Sequence, residues 1–193
     1  LAMTQDQERK FEEQGFIILE SFLMPDEWKR LSAAADEVVE RIQKEGGQSQ
    51  ETHFQVRNAL AQHDAFLDLI DHPRILPLVV DAIGWNIQIR TTHLDYRPPY
   101  PQDIRAGSIG TGQGSDQQAG YRNLKWHPDL ASPELFLAPS LDGRLPFMEI
   151  KVFYTLFDMT QSGCGNLWLV PGSYKRPPSE LHAMKNLVPA EQS

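Results

Sequence analysis

The chain is 193 residues long, which suits one domain, and its 40% of apolar residues is too high for a disordered protein. Its formal net charge is −8 without a cluster of Lys and Arg, which disfavours a nucleic-acid partner, and no apolar run is long enough to predict a membrane span. The single cysteine, Cys164, excludes an intramolecular disulfide and favours a reducing compartment, so we expect a cytoplasmic protein.

The first predicted element is a short helix near the N-terminus. Thr4 and Gln7 form a capping-box pattern that begins this helix, and Gly15 suits the left-handed conformation that ends it. The apolar run over residues 16–19, directly after the glycine, predicts a strand.

A longer amphipathic helix follows. Pro25 suits its first position, with acidic residues in the first turn, and the pair Gly46-Gly47 ends it. Its apolar residues recur at spacings of three and four, so we expect the helix to pack by one face. These residues are Trp28, Leu31, Ala35, Val38, Val39 and Ile42.

The remaining elements change from helix to strand at about residue 86. Helical segments are predicted through 66–70 and 75–83, the second closed by Gly84, with a candidate strand over 53–57 between the long helix and these segments. From residue 86 onwards the sequence alternates as strands do. Further strands are predicted over 86–95, 121–126, 148–157 and 167–170, and residues 106–120 predict a Gly-rich mobile loop.

The strongest chemical signal is Trp126-His127-Pro128-Asp129, at the end of a predicted strand. Side chains two residues apart on an extended chain point to the same side, so His127 and Asp129 are placed to bind one metal ion. A nitrogen and oxygen pair suits Fe(II), Mn(II) or Zn(II), and with a second histidine it would complete the facial triad of non-haem iron oxygenases. A chance His-x-Asp in a loop is the alternative.

The order of the motifs resembles the phytanoyl-CoA dioxygenase family. Thr-His-Leu-Asp-Tyr-Arg-Pro-Pro at 92–99 precedes the Trp-His-x-Asp, and the segments at 151–158 and 165–173 follow it, the last reading Gly-Asn-Leu-Trp-Leu-Val-Pro-Gly-Ser. The N-terminal segment 11–19 is also similar to that family's opening. The resemblance implies a double-stranded β-helix, or jelly roll, that holds Fe(II) and uses 2-oxoglutarate as cosubstrate.

The resemblance also implies roles for particular residues. His127 and Asp129 match the first two iron ligands and are the predicted catalytic residues, while His93 and Tyr154 match positions that line the 2-oxoglutarate pocket. Lys151 lies in an apolar strand, where a buried lysine needs a carboxylate partner such as a bound 2-oxo acid. The alternatives are a hydrogen-bonded histidine at 93, core packing for Tyr154, and an edge-strand lysine facing water.

Three features depart from the family's pattern. Tyr174 stands where the family usually has a histidine after Pro-Gly-Ser, which puts substrate contacts in doubt. The second iron-binding histidine and the carboxylate-binding arginine come in the family from strands after that turn, yet the only histidine after Asp129 is His182, in a predicted helical turn. Six predicted strands are also fewer than the eight of a jelly roll. We therefore expect the C-terminal portion of the domain to be missing.

Together these observations predict an Fe(II)- and 2-oxoglutarate-dependent dioxygenase. Asp129 keeps the carboxylate that related iron halogenases lack, so we expect hydroxylation of an unactivated C–H bond of a small organic substrate, with release of succinate and CO2. In the single domain 1–193, residues 1–85 would be a helical part packed on a barrel formed by residues 86–193. The expected partners are the substrate and O2, without nucleic acid or membrane. A non-catalytic jelly-roll ligand-binding protein and a Zn or Mn enzyme of cupin type stay open as alternatives.

Overall fold

The computed structural model describes residues 3–46, 54–97, 149–159 and 166–176. Three α-helices and one antiparallel strand pair make up most of the regular structure in this part of the chain. Short 3-10 helices lie at Ala59–Ala61, Asp64–Leu69 and Ser173–Lys175. The longer elements are α1 (Gln5–Gln14), α2 (Pro25–Gly46), β1 (Phe54–Arg57), α3 (Leu76–Ile83) and β2 (His93–Tyr96).

Helix α1 begins and ends as its sequence predicts. The Thr4 hydroxyl accepts a hydrogen bond from the Gln7 backbone N–H, and the Gln7 side chain accepts one from the Thr4 backbone N–H, which completes the capping box. Gly15 adopts φ +85° and donates its N–H to the Phe11 carbonyl. The strand predicted over 16–19 is wrong, because the backbone there pairs with no described strand.

The α1 cap gives a first stability prediction. Thr4→Ala should lower the free energy of unfolding by about 1 kcal/mol, because the side-chain oxygen that satisfies a free helical N–H is lost. Urea denaturation followed by circular dichroism measures this change. Thr4→Ser keeps the hydroxyl and is the matched control, so an equal loss in both variants would contradict the role given to the cap.

Helix α2 provides the central face of the core. It spans 22 residues and buries Leu31, Ala34, Ala35 and Val38, which confirms the predicted apolar stripe. Val39 and Ile42 are partly buried against the same cluster. Trp28 differs from the prediction, since 47% of it stays exposed; its indole N–H donates to the Leu156 carbonyl instead.

The strand pair covers this face of α2. Phe54 lies opposite Tyr96 and Arg57 opposite His93 in the antiparallel register, and the Phe54 and Tyr96 rings stack with centroids 5.1 Å apart. Phe54 and Val56 alternate inward and join the core with Ala65 and Phe66. The candidate strand over 53–57 is confirmed from residue 54, whereas the strand predicted over 86–95 is regular only from 93 onwards.

The other predicted elements have mixed outcomes. Residues 64–69 are helical as predicted but wind as a 3-10 helix, and α3 ends at Gly84 as expected. The segments 149–157 and 167–170 run without a ladder partner, so the described residues contain a two-stranded sheet and not a barrel. The strand predicted over 121–126 and the loop over 106–120 lie outside the described residues. No helix in the described ranges is both long and apolar enough to cross a membrane.

Candidate active site

The segment 149–159 is held against the first turns of α2 through its backbone. The Trp28 indole N–H donates to the Leu156 carbonyl at 2.9 Å, and the Ser32 hydroxyl lies 3.5 Å from the same oxygen. Leu156 itself packs against the core cluster. These contacts place Tyr154, two residues earlier, on the same side of the segment as Leu156.

Tyr154 carries a hydroxyl that is buried and has no hydrogen-bond partner. Burial raises the pKa of the Tyr154 phenol to about 12, and the negative charge of Glu27 adds to the shift. The hydroxyl is therefore protonated at neutral pH and keeps an unused donor. Leaving such a group unpaired costs about 1–3 kcal/mol, so a buried donor without a partner is a candidate ligand-binding group.

An aromatic and charged cluster lies beside the Tyr154 ring and contacts it through Phe22. The Phe22 ring lies between Tyr154 and His72, with centroids 6.4 Å from the first and 5.0 Å from the second. The Arg74 guanidinium covers the Phe22 ring at 4.3 Å from its centroid, a cation–π contact. Phe22 thus joins Tyr154 to the residues at 72–74.

Glu27 ties this cluster to the start of α2. Its Oε2 accepts the Met24 backbone N–H at 2.7 Å, which satisfies one of the free N–H groups at the helix end. Oε1 lies 3.3 Å from His72 Nε2, and Oε2 lies 3.3 Å from Arg74 Nη2. The Met24 hydrogen bond, with smaller contributions from His72 and Arg74, lowers the pKa of Glu27, so the carboxylate is ionised.

His93 is exposed on β2, apart from the cluster around Phe22. Its Nε2 lies 3.1 Å from the Thr91 hydroxyl, and its strand partner is Arg57. This geometry matches the hydrogen-bonded histidine that the sequence left as the alternative. The role of His93 in a cosubstrate pocket stays a prediction.

Lys151 is also exposed, on the segment that carries Tyr154. Its Nζ lies 4.0 Å from Glu149 Oε1, while Glu149 Oε2 binds Arg90 Nη1 at 2.5 Å. Because 39% of the Lys151 side chain is accessible to water, the structure favours a lysine facing solvent over a buried one. Its predicted contact with 2-oxoglutarate stays a prediction.

The predicted iron ligands His127 and Asp129 lie outside the described residues, as does His182. Within the described ranges, no group of three His, Cys, Asp or Glu side chains is arranged to hold a metal ion. The His-x-Asp pair therefore stays a prediction from the sequence.

The Pro-Gly-Ser turn is joined to the end of α1. The Gly172 N–H donates to the Gln14 carbonyl at 2.8 Å, and the Tyr174 hydroxyl donates to the Glu12 carbonyl. The Tyr174 ring lies on Gly15, where an added Cβ would be 2.6 Å from Tyr174 Cδ1. Tyr174 thus connects this turn to the N-terminal helix.

Sequence reasoning missed the four residues of the cluster beside Tyr154. They are Phe22, Glu27, His72 and Arg74. Glu27 had a signal in the sequence, since a glutamate three positions after a helix cap often bonds back to the cap's N–H. The other three offered none, because their contacts join segments about fifty residues apart in the chain, as in the 52 positions between Phe22 and Arg74.

Comparison with known proteins gave one match. The family model described as "Phytanoyl-CoA dioxygenase (PhyH)" matches residues 11–191, nearly the whole chain. Neither the curated proteins nor the solved structures contain a significant match.

Proposed function

Since the chain belongs to the phytanoyl-CoA dioxygenase family, we propose that it is an oxygenase that hydroxylates an unactivated C–H bond of a small organic substrate and releases succinate and CO2. This family has a jelly-roll fold of cupin type and is part of the Fe(II)- and 2-oxoglutarate-dependent oxygenase superfamily. Its members generally use Fe(II) and 2-oxoglutarate. The proposal extends these family properties to a reaction and to residues of this chain.

The observation that carries the proposal is the buried, unpartnered hydroxyl of Tyr154. A protonated phenol is a hydrogen-bond donor, and a carboxylate of 2-oxoglutarate is an acceptor that would satisfy it. The sequence independently assigns Tyr154 to the cosubstrate pocket. The unpaired hydroxyl therefore belongs to Tyr154, a residue for which the resemblance implies a contact with the cosubstrate.

Each candidate site residue of this chain has its own proposed role. His127 and Asp129 would hold the iron, because an imidazole and a carboxylate are suitable Fe(II) ligands. Tyr154 would donate its hydroxyl hydrogen to a cosubstrate carboxylate, with His93 and Lys151 proposed for the same pocket. When bound, the iron would serve to activate O2, the oxidant, and 2-oxoglutarate would be oxidised to succinate and CO2 as the C–H bond is hydroxylated. The Phe22 ring beside Tyr154 would help to keep water from the donor.

Tyr154→Phe tests this assignment because it should change stability and binding in opposite directions. Removing an unpaired buried hydroxyl should raise the free energy of unfolding by about 1 kcal/mol. The same change should weaken 2-oxoglutarate binding about tenfold, because a hydrogen bond to a charged group is lost. Urea denaturation measures the first effect, and anaerobic titration of the Fe(II) protein with 2-oxoglutarate measures the second through the visible charge-transfer band of the chelate.

Tyr96→Phe is the matched control, since Tyr96 stacks on Phe54 in the strand pair. It should leave 2-oxoglutarate binding unchanged. If Tyr154→Phe binds the cosubstrate as tightly as the wild type, Tyr154 is plain core and the proposed pocket is wrong. If the wild type gives no chelate band, the chain is the non-catalytic binding protein that the sequence left open.

A further inference from the structure

His72 is the one polar side chain that is buried among the described residues, with 4% of it exposed. Its Nδ1 accepts the Arg74 backbone N–H at 3.2 Å, so the ring hydrogen must reside on Nε2. Nε2 lies 3.3 Å from Glu27 Oε1 and donates to it. The hydrogen-bond network thus assigns one neutral tautomer, with both ring nitrogens satisfied.

Glu27 is fixed by partners on more than one side. Its Oε2 accepts from the Met24 backbone N–H at 2.7 Å and from the Arg74 guanidinium at 3.3 Å, while Oε1 accepts from His72. The carboxylate cannot turn without breaking a bond at the start of α2. The bonds of Glu27 to His72 and Arg74 therefore hold the first turn of α2 to residues 72–74.

Phe22 connects His72 and Arg74 to Tyr154. His72 contacts the Phe22 ring at 5.0 Å, and Arg74 covers it while also donating to the Phe22 carbonyl. The Phe22 ring in turn lies against Tyr154. On the other side, the Trp28 bond to the Leu156 carbonyl holds the Tyr154 segment to α2. Both supports of Tyr154 thus begin in the first turn of α2.

Stability alone does not call for this arrangement. Burying a polar side chain such as His72 costs desolvation free energy, and a well-packed apolar residue of similar size often serves as well. Glu27 and Arg74 stay partly exposed, so His72 is the buried member of the network. Through Phe22 the network reaches a tyrosine whose hydroxyl is left unpaired at further cost. A buried histidine joined through one ring to an unpaired buried hydroxyl indicates that the network maintains the orientation of that hydroxyl.

We propose that Glu27 and His72 are positioning residues which, through Phe22, hold the Tyr154 hydroxyl ready for a ligand carboxylate. This inference rests on the proposed function, in which that ligand is 2-oxoglutarate. The Glu27 to His72 bond is the decisive contact, because it joins the α2 cap to the residue that touches Phe22.

Two substitutions of His72 separate its bond to Glu27 from its other contacts. His72→Asn places an amide oxygen near the Nδ1 position, so it keeps the Arg74 contact and loses the bond to Glu27. His72→Gln places an amide N–H near the Nε2 position and keeps the bond to Glu27. Both remove the imidazole that contacts Phe22, and only His72→Asn keeps the Arg74 contact, so a larger loss in His72→Asn than in His72→Gln reports the Glu27 bond.

The expected results follow from that difference. His72→Asn should weaken anaerobic 2-oxoglutarate binding to the Fe(II) protein about fivefold, the effect of one lost hydrogen bond, and raise its KM without a matching fall in kcat. His72→Gln should weaken binding by only about twofold, because it loses the ring contact with Phe22 but keeps the bond to Glu27. In a Tyr154→Phe background, His72→Asn should have no further effect on binding, because the group through which it acts is gone.

A measurement on the unliganded protein makes the test independent of catalysis. With 13C-labelled tyrosine, the Tyr154 ring signal, assigned by its loss in Tyr154→Phe, should shift in His72→Asn and shift less in His72→Gln. An unmoved signal in His72→Asn, or equal effects of the two variants on binding, would overturn the positioning role. If the wild type binds no 2-oxoglutarate while the signal still shifts more in His72→Asn than in His72→Gln, the proposed function fails and the positioning of Tyr154 stands.

Discussion

Replacing His127 with alanine is expected to abolish succinate formation from 2-oxoglutarate in the presence of Fe(II). Loss of a group that merely orients a metal ligand already costs about 10–100-fold in affinity or activity, so loss of the ligand itself should cost more than about 100-fold. Bound iron, measured by metal analysis after desalting, should fall in parallel. Asp129→Ala should act in the same direction, because both side chains would bind the same ion.

His63→Ala is the control for this experiment. His63 accepts the Ala65 backbone N–H at the start of a 3-10 helix, so His63→Ala removes an imidazole and keeps both His127 and Asp129 in the sequence. It should leave turnover near the wild-type rate. Unchanged succinate formation in His127→Ala would contradict the assignment of the protein as an oxygenase. Bound Zn or Mn in place of Fe, without oxygen consumption, would favour the cupin-type enzyme that the sequence left open.

The second large effect is expected at Gly15. Gly15→Ala should lower the free energy of unfolding by about 3 kcal/mol, from left-handed backbone strain together with overpacking against the Tyr174 ring. Gly15 has φ +85°, and the new Cβ would lie 2.6 Å from Tyr174 Cδ1, too close for any side chain to accept without movement. Urea denaturation measures the loss. Because Gly172 bonds to the Gln14 carbonyl, the same change should also loosen the Pro-Gly-Ser turn.

Two controls divide the Gly15 effect into its causes. In a Tyr174→Ala background, Gly15→Ala should cost only about 1–2 kcal/mol, since the ring is gone and only backbone strain is left. Gly84→Ala also introduces strain, at φ +82°, but meets no atom within 4 Å. If Gly15→Ala costs the same with and without the Tyr174 ring, the close contact between α1 and this turn is not what makes the position intolerant.

The candidate site shows where sequence reasoning is strong and where it stops. Tyr154 was assigned from the order of the motifs, but its orphaned hydroxyl is visible only in three dimensions. For Lys151 the sequence left open a buried lysine paired with a carboxylate and a lysine facing water, and in the structure its side chain is partly exposed. Tyr174 was seen as a departure that puts substrate contacts in doubt, and the structure places its ring on Gly15.

The local elements and the family follow from the amino-acid sequence. The α1 caps and the apolar stripe of α2 follow from residues a few positions apart, whose interactions the helix geometry dictates. The order of motifs likewise needs only the chain, and it identifies the phytanoyl-CoA dioxygenase family over residues 11–191.

Contacts between residues that are distant in the chain are seen only in the tertiary structure. Trp28 finds the Leu156 carbonyl 128 positions away, and His72 finds Glu27 across 45 positions. Such contacts depend on how helices and extended segments pack, which no short-range pattern specifies. The physical reason is burial, because once packing excludes water, a polar group must find a partner within the protein or be left without one. His72 and Glu27 are paired in this way, and Tyr154 is left with the free donor that we assign to the cosubstrate.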